Sequence, residues 1–204
     1  SPSQLHELLV HASKLAPLNS IRPWTYCTLF SLLAVTGLRI SEALNLRLKD
    51  VTPDGLVIRE TKFRKSRLVP LHASTAAALE CYLDRRGAVA DDHVFVSIEG
   101  RGPRYSTVVA IFLRLVRSIG IHLGPGHQGP RIHDLRHSLA SYMAEAGAVE
   151  SVIADALGHT GKGSVTARYT HVRLATVRAA VGKAIDLMFR HAGRLGAGLA
   201  ARIG

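Results

Sequence analysis

Cysteine is nearly absent: Cys27 and Cys81 are the only two among 204 residues. Two thiols cannot form a disulfide framework and a chain of this length does not need one, so a disulfide-built scaffold is excluded and a reducing, cytoplasmic setting is expected. Long apolar runs are also missing. The longest, around Leu29 to Val35, is broken by Ser31 and falls far short of the roughly 18 residues needed to cross a bilayer. The opening "SPSQLHELLVHASKL" lacks the positive, apolar and small-residue order of a signal peptide, which adds to the expectation of an intracellular, nucleoid-associated protein with no membrane partner. The first residue is Ser1 rather than an initiator Met, so a piece of a longer protein is expected. Neither CxxC nor HExxH occurs, and the sequence shows no carboxylate cluster of the kind magnesium uses, so neither metal nor cofactor is expected. Acidic residues are scarce, 15 against 26 Lys and Arg, and the net charge of +11 points to a polyanionic partner.

What is present is enough apolar material, 47% of residues, to bury a substantial core. Pro23 suits a helix start and Gly37 a helix stop, so residues 22 to 36 read as a buried helix. "RISEALNLRL" resumes helical spacing, which places Arg39 at a turn between two helices. "GLVIRETKFRKSRLVPL" then changes period. Its β-branched runs flank a basic middle and follow the turn signal "TPDG", so an antiparallel hairpin or three-stranded sheet is expected between about residues 50 and 71. "STAAALECYLDRR" and "YSTVVAIFLRLVRSIG" read as amphipathic helices separated by the strand-like "HVFVS". After the loop "LGPGHQGP" come helices at about 133 to 147 and 149 to 157, a short one through Tyr169 and a last one from about 174 to 191, with "RLGAGLAARIG" as a frayed end. The class is mainly α with a small antiparallel β-sheet (α+β).

The densest chemistry is in "RIHDLRHSLASYMAEAG", residues 131 to 147. His133 and Arg136 are three apart and share a helix face. Arg136 offers a permanently charged fork that matches a phosphate, His133 exchanges a proton near neutral pH, and the helix N-terminus favours an anion. A helix-capping His133 and a surface ion pair between Arg136 and Asp134 or Glu145 form the alternative reading.

Five stretches occur in order: "TGLRISEAL" around Arg39, "TKFRKSRLVPL" around Lys62, "HDLRHSLAS" around His133 and Arg136, "LGHT" around His159, and "RYTHV" around Tyr169. Together they resemble the catalytic domain of the tyrosine recombinases, the phage-integrase family of site-specific DNA recombinases, from about Trp24 to Val172. The resemblance implies that fold and an active site of Arg39, Lys62, His133, Arg136, His159 and Tyr169, with Lys65 a rival to Lys62. His159 and Tyr169 stand ten positions apart, one more than the family's usual spacing, with Gly161 and Gly163 available to absorb the extra residue.

In such a site the arginines and His159 would stabilise the charge that builds on the non-bridging phosphate oxygens, without metal. Tyr169 would be the nucleophile, His133 its base and Lys62 the general acid for the leaving 5′-oxygen. Arg59, Arg64, Lys65, Arg67, Arg101, Arg104, Arg131 and Lys162 fall in expected loops or hairpin turns and are read as DNA phosphate contacts, with plain solvation as the alternative. Residues 1–172 are expected to form the catalytic domain and 173–204 a C-terminal helix and tail. The stripe Leu174, Val177, Val181, Ile185 and Met188 either docks on a neighbouring protomer of a DNA-bound tetramer or folds back on its own domain. The family's separate N-terminal DNA-binding domain is not recognised in the sequence, so the chain alone is expected to hold double-stranded DNA weakly. A type IB topoisomerase and a catalytically inactive DNA-binding module are the remaining alternatives.

Overall fold

The computed structural model describes residues 1–59, 66–121, 129–158 and 170–192, with the side chains of the last stretch described from 174 to 188. In chain order the described elements are α1 (Pro2–Ala12), α2 (Arg22–Thr36), α3 (Ile40–Leu44), a short 3-10 turn (Leu48–Asp50), β1 (Val51–Thr52), β2 (Gly55–Ile58), β3 (Arg67–Val69), α4 (Ala73–Arg86), α5 (Tyr105–Ser118), α6 (Asp134–Glu145), α7 (Glu150–Leu157) and α8 (Thr170–Ala192). The mainly helical class with one small sheet is thus observed.

Helix α2 is the centre of the molecule because it is apolar on nearly every face, and such a helix must be surrounded. Pro23 lies in its first turn, and Gly37 ends it in the left-handed region at φ 62°. Leu29, Phe30, Leu32 and Leu33 pack in one cluster with Leu8 and Leu9 of α1, Leu79 and Tyr82 of α4, and Leu56, Ile58 and Val69 of the sheet. Helix α5 adds Val108, Ile111, Phe112, Leu115 and Val116, an i, i+3, i+4, i+7, i+8 stripe that faces the same core. Val35, at the other end of α2, joins a second cluster with Leu139, Met143, Ala156, Leu157, Val177, Val181 and Ile185. The two cores therefore meet along one helix.

The three strands pair antiparallel in the order β1-β2-β3, with Val51 opposite Leu56 and Val57 opposite Leu68. The sheet falls within the span expected from the sequence. "HVFVS" does not form a strand. Only Arg47 and His93 make an isolated bridge, and the backbone groups of the segment are met by a carbonyl and by a side chain: Val94 N–H donates to the Leu46 carbonyl at 2.9 Å, and Val96 N–H to the Tyr82 hydroxyl at 3.1 Å. Once these groups have partners, the buried Val94, Phe95 and Val96 need no neighbouring strand.

Helix α8 starts before the expected position and packs on α1, α6 and α7. Its stripe residues Val177, Val181, Ile185 and Met188 are buried within this same chain. Arg178 further donates to the Asp54 carbonyl at 3.2 Å, joining α8 to the β1–β2 turn. The expected short helix through Tyr169, most of the loop "LGPGHQGP" and the terminal "RLGAGLAARIG" lie outside the described residues.

Candidate active site

The site begins at the mouth of α6. Asp134 in its first turn accepts a 2.8 Å bond from Arg131 N–H, which fixes the chain's entry. His133 occupies the N-cap position, but its side chain makes no capping bond, so the capping alternative is not what is observed. Its ring instead meets that of His137 edge-on at 5.0 Å. One turn on, Arg136 points into the protein and is 3% exposed. It pairs with neither Asp134 nor Glu145. One terminal nitrogen donates to the Gly37 carbonyl, and the other to the Leu157 carbonyl at 2.5 Å.

Those two carbonyls explain the burial. Gly37 follows α2 and Leu157 ends α7, and the C-terminal ends of helices carry unpaired carbonyls and partial negative charge that a cation satisfies. Both helices close on a left-handed glycine, Gly37 at φ 62° and Gly158 at φ 65°. A Cβ at Gly37 would sit 2.6 Å from Leu157 Cδ2, so a side chain there would have to displace that leucine as well as strain the left-handed backbone. Arg136 thus clamps the residue two before Arg39 to the residue two before His159.

Arg39 lies in the turn leading into α3, where its own N–H donates to Glu42 Oε2 at 2.8 Å and its Nη1 to Oε1 at 2.9 Å. Its other edge makes no bond among the described residues, and its side chain is 41% exposed. Arg67, at the start of β3, places both terminal nitrogens on the same carboxylate, Nη1 on Oε1 and Nη2 on Oε2, each at 2.9 Å. One buried carboxylate thus holds two guanidiniums beside a third, Arg136.

The protonation states follow from this crowding. Burial alone would raise the Glu42 pKa, but the bonds and charges of Arg67 and Arg39 outweigh it and hold the carboxyl at about 2. Burial, assisted by the charges of Arg39 and Arg67, lowers Arg136 to about 10, which leaves it a cation at neutral pH. Burial, then the charges of His137 and Arg136, pushes His133 below its ordinary value despite the opposing carboxylate of Asp134, so its ring is neutral at pH 7 and ready to accept a proton. Arg136 therefore stands between the charges of Arg39 and Arg67 on one side and His133 on the other.

Lys62, Arg64, Lys65, His159, Lys162 and Tyr169 lie outside the described residues. Of the arginines expected on DNA phosphate, Arg101, Arg104 and Arg131 are exposed, and Arg101 and Arg104 line one cleft with Arg22. Arg59 bonds Asp50 at 2.5 Å while remaining half exposed. Arg67 is committed to Glu42, a placement the basic hairpin composition did not reveal. Glu42 sits three residues after Arg39, a spacing that names their pair in the sequence, and the structure shows that pair, whereas the second guanidinium on the same carboxylate, Arg67, is not named by any local spacing. His137, the edge-on neighbour of His133, was missed, although its i+4 spacing marks it.

Among the described residues one group has ligand atoms near enough for a metal, Asp91, Asp92 and His93. Its carboxylates already have partners. Asp91 bonds the His93 ring, His93 N–H and Gly102 N–H, and Asp92 bonds Arg47. The arrangement fastens a loop and lies outside the cluster around Glu42.

The same architecture recurs in solved structures. A crystal structure of XerA recombinase superposes with a TM-score of 0.62 at 24% identity, over 92% of this chain and 62% of that one. XerH site-specific recombinase bound to its difH substrate superposes with a TM-score of 0.64 at 22% identity, over 82% and 50%. The fold is therefore that of tyrosine recombinase catalytic domains. The phage integrase family model matches residues 1–175, and the chain belongs to that family. Among curated relatives, the putative integrase/recombinase y4rB of Sinorhizobium fredii is 47% identical over 128 residues, covering 59% of this chain and 41% of that protein. Tyrosine recombinase XerA of Pyrococcus horikoshii is 32% identical over 160 residues, covering 75% and 52%. The chain spans about half the length of the curated relatives it matches.

Proposed function

We propose that this chain is the catalytic portion of a site-specific DNA recombinase that cuts and rejoins strands through a 3′-phosphotyrosine. The observation that carries the reading is the convergence of Arg39, Arg136 and a neutral His133 from separate parts of the sequence into one cationic cluster. Three positive guanidiniums around a single carboxylate leave an excess of positive charge, suited to a phosphodiester whose own charge grows in the transition state.

In the proposed reaction the Tyr169 phenol oxygen attacks phosphorus and its proton passes to His133. The phosphorus–O5′ bond breaks, and the 5′-oxygen takes a proton from Lys62, or from Lys65 as the rival general acid. Arg39 and His159 hold the non-bridging oxygens, and Arg136, whose carbonyl partners are neutral and leave its charge uncompensated, stabilises the same phosphate from beside them. The phosphodiester bond is exchanged for a phosphotyrosine ester, so rejoining needs no nucleotide energy source, and no step calls for a metal. Double-stranded DNA is the proposed partner, with Arg59, Arg101, Arg104 and Arg131, together with Arg64, Lys65 and Lys162, as phosphate contacts. Assembly into a tetramer on DNA is proposed as well. The α8 stripe is covered within this chain, so docking of the C-terminal helix on a neighbouring protomer would use other residues than the stripe.

The test is a nicked, radiolabelled suicide duplex drawn from the DNA flanking the gene. Wild-type protein is expected to leave a protein-linked strand that survives denaturation, and Tyr169→Phe none. An adduct formed by the Phe variant would remove Tyr169 as nucleophile, and a mobility shift without any adduct would reduce the protein to a DNA-binding module.

The state of His133 gives a pH prediction. Its depressed pKa means the neutral base persists below pH 6.5, so the acid limb of the cleavage rate should fall at lower pH than an ordinary histidine would give. His133→Gln should flatten that limb and slow cleavage by ~10²–10⁴-fold. An unchanged limb in the variant would transfer the base role to another group.

A further inference from the structure

Arg67 looks from the sequence like one more phosphate contact in a basic hairpin, and the structure gives it a different place. Both its terminal nitrogens are bonded to Glu42. Its side chain is 17% exposed, against 41% for Arg39 on the same carboxylate. A guanidinium with both terminal nitrogens on a buried carboxylate presents no open fork for bidentate phosphate binding. Nε is buried and has no partner among the described residues. Nε and Cζ lie close to Gly158, where a Cβ would stand 2.7 Å from both atoms. Gly158 is the residue immediately before His159.

We infer that Arg67 is a positioning residue: by completing the Glu42 carboxylate it sets the angle of the Arg39 guanidinium, and by supporting Gly158 it sets where the chain enters the His159 segment. The geometry is specific on both sides. Glu42 Oε1 accepts from Arg39 and Arg67 together, so rotating the carboxylate turns both cations. On the other side, α7 ends at Gly158, whose left-handed backbone at φ 65° stands so close to Arg67 that a Cβ there would displace the guanidinium. A lysine, with one nitrogen and no planar edge, would hold the carboxylate at a single point. The inference rests on the reading of Arg39 as a phosphate-binding cation.

The experiment measures, for full-length protein on the nicked suicide duplex, the single-turnover cleavage rate at saturating DNA, and on the same duplex without the nick, affinity across a salt series. Arg67→Gln should slow saturated cleavage at least tenfold while Kd stays within about twofold and the salt slope is unchanged. Arg67→Lys should recover part of the rate. Weakened binding with a salt slope reduced by about one and a normal saturated rate would make Arg67 a phosphate contact and overturn the inference. Unchanged rate and unchanged binding would overturn it too. If Arg67→Gln does not fold at the assay temperature, Arg67→Lys is read by the same criteria. Wild-type protein that forms no adduct removes the recombinase reading and this inference with it, whereas active wild type with indifferent variants removes only the role of Arg67.

Discussion

Arg136→Ala is expected to lose both stability and cleavage, each by a large factor. The wild-type side chain supplies partners for the Gly37 and Leu157 carbonyls in a buried setting. Truncation leaves both without a donor and opens a space between α2, α6 and α7, at a combined cost of roughly 3–5 kcal/mol. For a chain of this size that corresponds to a fall in melting temperature of roughly 10 °C. On the proposed reading, cleavage measured below the variant's melting temperature should drop a further ~10²–10³-fold, because the Arg136 charge is gone and the Arg39 and His159 segments lose their clamp. Arg136→Lys keeps the charge but cannot reach two carbonyls as a fork, so intermediate values are expected in both measurements. Near-wild-type melting of Arg136→Ala would mean the clamp is not what joins the two helix ends.

Glu42→Ala carries the second large effect, from the opposite sign of charge. It leaves Arg39, Arg67 and Arg136 facing one another with no anion among them, and breaking a buried ion pair in this way typically costs about 3–5 kcal/mol. The wild type should show a related loss in acid. A carboxyl held at about 2 against an ordinary 4.5 contributes stability that is complete above about pH 4.5 and disappears as pH falls toward 2, because the unfolded chain takes up the proton first. The 10% exposed side chain makes this contribution about 3 kcal/mol. Urea unfolding of wild type and Glu42→Gln should therefore differ most above pH 4.5 and converge toward pH 2. A difference independent of pH over that window would deny Glu42 its place at the centre of the cluster. Cleavage by Glu42→Gln at pH 7 should fall along with the orientation of Arg39.

The order of the motifs was fully legible in the chain, and so were many of the local elements, although α1 was not read as a helix. The α2 boundaries at Pro23 and Gly37 follow from backbone rules that act within one turn. The α5 stripe follows from a period of 3.6, and the sheet from the change of period after residue 50. "HVFVS" shows where such reasoning stops, since its apolar alternation is real but its backbone partners are Leu46 and the Tyr82 hydroxyl, which no local pattern names. The buried stripe of α8 is a similar case. Its periodicity predicts an apolar face, whereas the identity of the surface that covers it depends on α6 and α7.

The sequence by itself determined the family, the mainly helical class and the positions of Arg39, His133 and Arg136, because residue type, spacing and capping are properties of neighbours along the chain. Tertiary structure alone decided that Arg136 is buried as a clamp and that Arg67 turns inward to share Glu42 with Arg39. Those outcomes join groups 21 to 99 residues apart. A buried charge settles wherever folding brings it enough partners to replace water, and only the assembled packing shows where those partners are.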